Sequence, residues 1–238
     1  MQKTLCFALL IFFCSNPAFT QVVNEKLPYL SNYKEEIPFF QELITGGKYV
    51  EASKQIEGHS FYASRQFGEG ILTVTGITYP DVPLVYDIYQ DLVISFHPIY
   101  NQKILINSSK IDAFQLASGE KFQRISANEG YGFHGNGFYQ IRVSGTSKLW
   151  IKRYKTTKSK KDLSKYSDEF LEKQDFFLES EDDFIQIKKV KQAIEFFALD
   201  KKEIKKEMKQ RKIRFKQSPE AYLSAITEIV NENPSSGK

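Results

Sequence analysis

Apolar and polar residues alternate with period two from Lys48 to about Lys188, in a stretch dense in Val, Ile, Tyr, Phe and Thr and broken by frequent turn signals. The alternation predicts strands over Tyr49–Ile56, Ser60–Arg65, Glu69–Tyr79, Pro83–Tyr89, Asp91–His97, Lys103–Asn107, Ile111–Leu116, Lys121–Ile125, Gly137–Ser144, Lys148–Tyr154, Asp175–Glu179 and Phe184–Lys188. Connections such as Pro80-Asp81, Asn101-Gln102 and Gly145-Thr146 are hairpin-sized, too short for a parallel crossover. The expected fold is therefore mainly β, a β-rich α+β arrangement. Its core is a long, largely sequential antiparallel meander, strongly twisted and curled into an open or partly closed barrel.

The pattern changes on either side of this block. Residues 21–47 form a polar, proline-marked strap with a short amphipathic piece around Phe39, Phe40, Leu43 and Ile44, ending at Gly46-Gly47. The run "KTTKSKKDLSK" reads as an exposed loop, with a short helix near Ser167–Leu171. After residue 188 the period becomes helical, with Val190, Ala193, Ile194 and Phe197 on one stripe. Asp200 and Glu203 have capping-box spacing for a helix to about Lys212. Ser218-Pro219 opens a last helix holding Tyr222, Leu223, Ile226, Ile229 and Val230. Residues 189–231 are thus helices packed on the β domain at 48–188, and residues 232–238 a frayed tail.

Residues 1–20 read as an export signal, with Lys3, an apolar run from Leu5 to Phe13, and Ala18-Phe19-Thr20 before Gln21. That run is too short for a spanning helix and no later one is longer, so the chain is not expected to be an integral helical membrane protein. Both cysteines, Cys6 and Cys14, fall inside the signal, which removes disulfide, thiolate and zinc–cysteine chemistry from the exported chain. The 33 basic and 29 acidic residues give a formal charge of +4, a near balance that predicts no nucleic-acid partner. The expected location is periplasmic or secreted, with outer-membrane association as the alternative.

No catalytic constellation emerges from the motifs. Gly130, Gly132 and Gly135 in "GYGFHGNG" have dinucleotide-fingerprint spacing, but a strand, not a helix, follows them. They read instead as a wide hairpin loop whose Tyr131, Phe133 and His134 are candidate binding residues. His59, His97 and His134 lack metal-site spacing, "ESEDD" at Glu179–Asp183 lacks the calcium-loop glycine, and no G-x-S-x-G occurs. No metal, cofactor or catalytic residue is assigned. A carboxylate pair for glycoside hydrolysis needs no local signature and stays open. Asp87 and Asp91 read as polar strand residues with wet side chains, because alternation places Val85, Asp87 and Tyr89 opposite Leu84, Tyr86 and Ile88. The basic segment from Lys201 to Lys216 supplies a second candidate surface, with Lys205, Lys209 and Lys212 as contacts for peripheral binding to a membrane.

Over most of the chain, "GGKYV", "GHSFYAS", "GILTVTGITYPDVPLVYDIYQDLVI", "ILINSSKIDAFQL", "GFYQIRVSG", "LWIKRYK" and the ending "AYLSAITEIVNE" form one pattern. It resembles the uncharacterised secreted proteins of Bacteroidota. The resemblance implies an exported antiparallel β protein of the envelope with terminal helices, and carries no activity or cofactor. The leading expectation is a non-enzymatic envelope protein binding a protein, glycan or lipid partner. A small-molecule carrier with a barrel cavity and a glycan or cell-wall hydrolase are the alternatives.

Overall fold

The computed structural model describes residues 43, 46–97, 102–126, 128, 130–160, 166–181 and 183–232. The export signal, the terminal tail and all of the amphipathic piece before Gly46 except Leu43 lie outside the described residues. Eleven strands form one mixed sheet: β1 (Ile56–Glu57), β2 (Gly68–Val74), β3 (Ile77–Asp87), β4 (Leu92–His97), β5 (Gln102–Leu105), β6 (Ile111–Gln115), β7 (Lys121–Arg124), β8 (Phe138–Val143), β9 (Ser147–Ser159), β10 (Asp168–Ser180) and β11 (Asp183–Ile187). Three helices follow, α1 (Val190–Phe196), α2 (Lys201–Gln210) and α3 (Pro219–Glu232).

The meander is real but interrupted once. Strand order runs β1-β10-β9-β8-β7-β6-β2-β3-β4-β5, with β11 beside β10. Two antiparallel meanders, β2–β5 and β6–β11, are thus joined edge to edge where β2 pairs β6. Only β1, against β10, is parallel among the described pairings. The sheet does not close, although its curl brings the end of β3 to β9, where the Lys155 amide donates to the Ile88 carbonyl at 3.1 Å.

Inside the curl the space is filled by side chains. Tyr86, Phe114, Phe122 and Phe138 meet with ring centroids 4.9–6.0 Å apart, mostly edge to face, over Leu72, Val74, Leu84 and Ile111. Offset and T-shaped pairs are the arrangements that ring quadrupoles favour, and each adds about 0.5–1.5 kcal/mol beyond area burial.

Four local expectations are corrected. The expected strand Glu69–Tyr79 is two, turning at Thr75-Gly76 where both residues take positive φ (51° and 78°), and the expected turn at Pro80-Asp81 lies inside β3. Secondly, Tyr49–Ile56 and Ser60–Arg65 are not strands; only β1 and isolated bridges at Lys48 and Phe61 pair there. Positive φ at Gly58 (92°) and Ala63 (49°) breaks the extended run. The segment instead crosses the outer side of β3 and β4, where Tyr49 and Phe61 bury against Val85 and Ile94. Thirdly, Ser167–Leu171 holds no helix, because β10 begins at Asp168, and Thr156–Ser159 of the expected loop belong to β9. Cross-strand charge decides this: Lys155 lies 3.8 Å from Glu172, Lys158 3.8 Å from Glu169, and Ser159 donates to Asp168 at 2.9 Å. Fourthly, α2 stops at Gln210, with Lys212 in the left-handed region (φ 58°), so Lys212, Arg214 and Lys216 follow the helix rather than belong to it.

The helix starts follow their signals. The Asp200 carboxylate accepts from the Lys202 and Glu203 amides, and α3 begins at Pro219. Odd positions of β9 and even positions of β10 (Leu149, Ile151, Phe176, Leu178) bury under the helices with Ala193, Ile204, Met208, Leu223 and Ile226. The intervening Trp150 and Phe177 point to the opposite face and pack with Tyr139.

Candidate functional site

The turn between β3 and β4 carries the two acids read as wet, and neither is. Asp87 is fully buried and Asp91 is 8 % exposed. The reason is that β3 is covered on both sides, by the aromatic interior and by the segment holding Tyr49, Ser60 and Phe61. Asp87 Oδ1 accepts from the Tyr89 and Gln90 amides at 2.8 and 2.9 Å, closing the turn. Its Oδ2 accepts from Tyr49 at 2.5 Å, Ser60 at 2.8 Å and Gln90 Nε2 at 3.2 Å. A buried carboxylate with five donors is a framework element, because no lone pair is left for a substrate.

Asp91 sits in the left-handed region (φ 59°) and accepts three bonds. Oδ1 accepts from the Tyr86 hydroxyl at 2.5 Å and from Lys152 Nζ at 2.9 Å; Oδ2 accepts from the Phe138 amide at 3.3 Å. Lys152, on β9 between Trp150 and Tyr154, is fully buried, donates also to the Phe138 carbonyl at 3.0 Å, and lies 4.9 Å from the Tyr139 ring centroid. Burial pushes its ammonium pKa down, partly offset by Asp91.

This ion pair fixes the loop at 130–137. Gly137 is required there, since a Cβ would stand 1.8 Å from Asp91 Oδ2. His134 Nε2 lies 3.2 Å from the Tyr89 carbonyl oxygen, tying the loop to the same turn. Two flanks result. On one, Phe133, 43 % exposed, stacks on Tyr154 with centroids 4.4 Å apart, and the neighbouring Tyr131 donates to Asp175 at 2.5 Å. On the other, a cleft of about 330 Å³ is lined by Gln90, Ser108, Arg124, His134 and Asn136 over Asp91. Arg124 donates to the Ser108 carbonyl, and the buried Ser108 hydroxyl has no protein partner among the described residues.

Of the residues singled out in the sequence, Tyr131, Phe133 and His134 therefore lie on one loop, Tyr131 and Phe133 on one flank and His134 in the cleft on the other. Lys205, Lys209 and Lys212 do not join it. The loop packs with Phe177 on one face of β10, whereas α2 buries Ile204 and Met208 with Phe176 and Leu178 on the other. Sequence reasoning missed Lys152, Arg124, Ser108, Tyr154 and Asp175. Lys152 did leave a signal, a lysine in phase with Trp150 and Tyr154. The three histidines stay apart, and among the described residues no group of three or more His, Asp or Glu could hold a metal ion.

Burial raises the pKa of seven tyrosines above 10.0: Tyr49 and Tyr131, each also donating to an aspartate, Tyr86 beside Asp91, Tyr139, pushed up to about 12, and Tyr62, Tyr154 and Tyr222. A folded-state pKa raised above the unfolded one makes a contribution that is whole below pH 10.0 and is lost as pH rises beyond it. Unfolding free energy is expected to fall steeply above that pH, with the tyrosinate absorbance of Tyr49, Tyr86, Tyr131 and Tyr139 rising together with unfolding rather than before it. Ionisation of these four tyrosines near the free value while the fold persists would contradict this.

No helix among the described residues is long and apolar enough to cross a membrane. No protein-family model matches the chain, and neither curated proteins nor solved structures provide a match.

Proposed function

We propose that the chain is an exported, non-enzymatic protein of the cell envelope that binds a glycan through the loop at 130–137. The observation that carries this reading is the pairing of an exposed, backed aromatic ring, Phe133 on Tyr154, with the cleft holding Arg124, His134, Asn136 and the unpartnered Ser108 hydroxyl. Sugar rings present an apolar C–H face and a rim of hydroxyls. A flat ring answers the first, and amide, guanidinium and hydroxyl groups answer the second. The loop is held on strands by the Asp91–Lys152 pair, which limits the ordering cost of binding.

The export leader and the resemblance to secreted Bacteroidota proteins support the compartment. The filled interior around Tyr86 and Phe114 counts against a carrier, the saturated carboxylate of Asp87 counts against that acid serving a hydrolase, and the ion pair of Asp91 with buried Lys152 counts against Asp91 doing so.

The test is calorimetric titration with peptidoglycan fragments and purified envelope polysaccharides, using the chain from Gln21, Phe133→Ala and Arg124→Ala. Binding to one glycan class, weakened about tenfold by either substitution, is expected, since one stacked ring or charge-assisted bond is worth about 1–2 kcal/mol. Binding indifferent to both, turnover of the glycan, or capture of a single stoichiometric envelope protein in its place would overturn the reading.

A further inference from the structure

The α2 helix sorts its charges by side. At 100° per residue, Lys201, Lys205, Lys209 and Lys202 fall within about 100° of one another, with Lys206 on the border. No acid interrupts that arc. Glu203 and Glu207 turn the other way, into the groove between α2 and α3, which Asp200, Lys206, Arg211 and Glu232 also line. Arg211 is ion-paired to Glu207 at 2.8 Å, whereas Lys201, Lys202, Lys205 and Lys209 are exposed and have no ion-pair partner among the described residues. Ile204 and Met208 hold the helix down on the core, so the lysine arc is presented by a fixed element. Lys212, Arg214 and Lys216 extend the positive field past the helix end, all three exposed.

We infer that this arc is a docking surface for an anionic lipid bilayer. A helix evenly solvated by mixed charge would interleave its acids with its lysines; here the acids are segregated into the groove. The arc holds lysines alone, without arginine or an aromatic ring. Fixed phosphate geometry and stacked bases call for planar guanidinium forks and rings, so nucleic acid is the poorer match. Flexible lysine stems suit mobile headgroups, each adding roughly five-fold in affinity at low salt. The apolar side of α2 is already buried, so contact is electrostatic, without insertion. The surface is independent of the loop at 130–137, which packs on the opposite face of β10.

The test is co-flotation of the chain from Gln21 with vesicles of phosphatidylcholine containing a quarter phosphatidylglycerol, against pure phosphatidylcholine. Retention on the anionic vesicles is expected, lost in high salt and reduced at least tenfold in Lys205→Glu/Lys209→Glu. Lys121→Glu/Lys173→Glu, exposed lysines on β7 and β10, serves as the charge-matched control and should lose no more than two-fold. Circular dichroism establishes that each variant is folded. No retention on anionic vesicles, retention that survives high salt, or equal losses in the two variants would overturn the proposal; competition by inorganic phosphate at low concentration would reassign the site to a free anion.

Discussion

Lys152→Met is expected to destabilise the fold by about 3–5 kcal/mol, because it strands Asp91 as an uncompensated buried charge. Lys152 is fully buried, and its ammonium satisfies both Asp91 and the Phe138 carbonyl, so the loss falls on two acceptors. The attraction alone does not set the size of the effect; the desolvated carboxylate does. Asp91→Asn together with Lys152→Met should therefore recover more than half of the loss. Asparagine keeps an acceptor for Tyr86 and tolerates the left-handed backbone at this position. Urea unfolding of the single and double variants measures both. A single variant within 1 kcal/mol of the parent, roughly the scale of a solvated pair, would show that the lysine reaches water.

Asp87→Ala should cost a similar amount, about 3–5 kcal/mol, since it leaves the Tyr49 and Ser60 hydroxyls and the Tyr89 and Gln90 amides without an acceptor. Asp87→Asn should be milder, at about 1–3 kcal/mol, because one oxygen still closes the turn. Hydrogen exchange separates the outcomes. The Tyr89 and Gln90 amides should lose protection in Asp87→Ala and keep most of it in Asp87→Asn. Unchanged protection in the alanine variant would mean that the turn is held by its backbone alone.

Both predictions concern residues whose chemical type was plain in the sequence and whose environment was not. Alternation placed Asp87 on the side opposite Tyr86, and that placement is correct. The inference from that side to water failed, because the segment at Tyr49 and Ser60 folds over it from 27 or more residues away along the chain. Lys152 presented the same problem in reverse, as an apolar-phase lysine whose counter-ion lies 61 residues distant. The loop at 130–137 was more legible. Its glycines, the strand after them and the aromatic pair mark an exposed hairpin without reference to any distant residue. The cleft beside it needed Ser108 and Arg124, which β6 and β7 deliver from elsewhere.

Local periodicity determined what depends on near neighbours: the strand-rich block, the Gly145-Thr146 connection, the helix starts at Asp200 and Pro219, and the sign of the charge on α2. The tertiary structure alone decided the β2–β6 join between the two meanders, the filling of the curl, the burial of Asp87, Asp91 and Lys152, and the separation of the loop from the lysine arc. The physical reason is range. Propensity, capping and alternation act over a few residues, whereas burial and ion pairing depend on which distant segments arrive, and a period-two pattern does not say which strand will lie alongside.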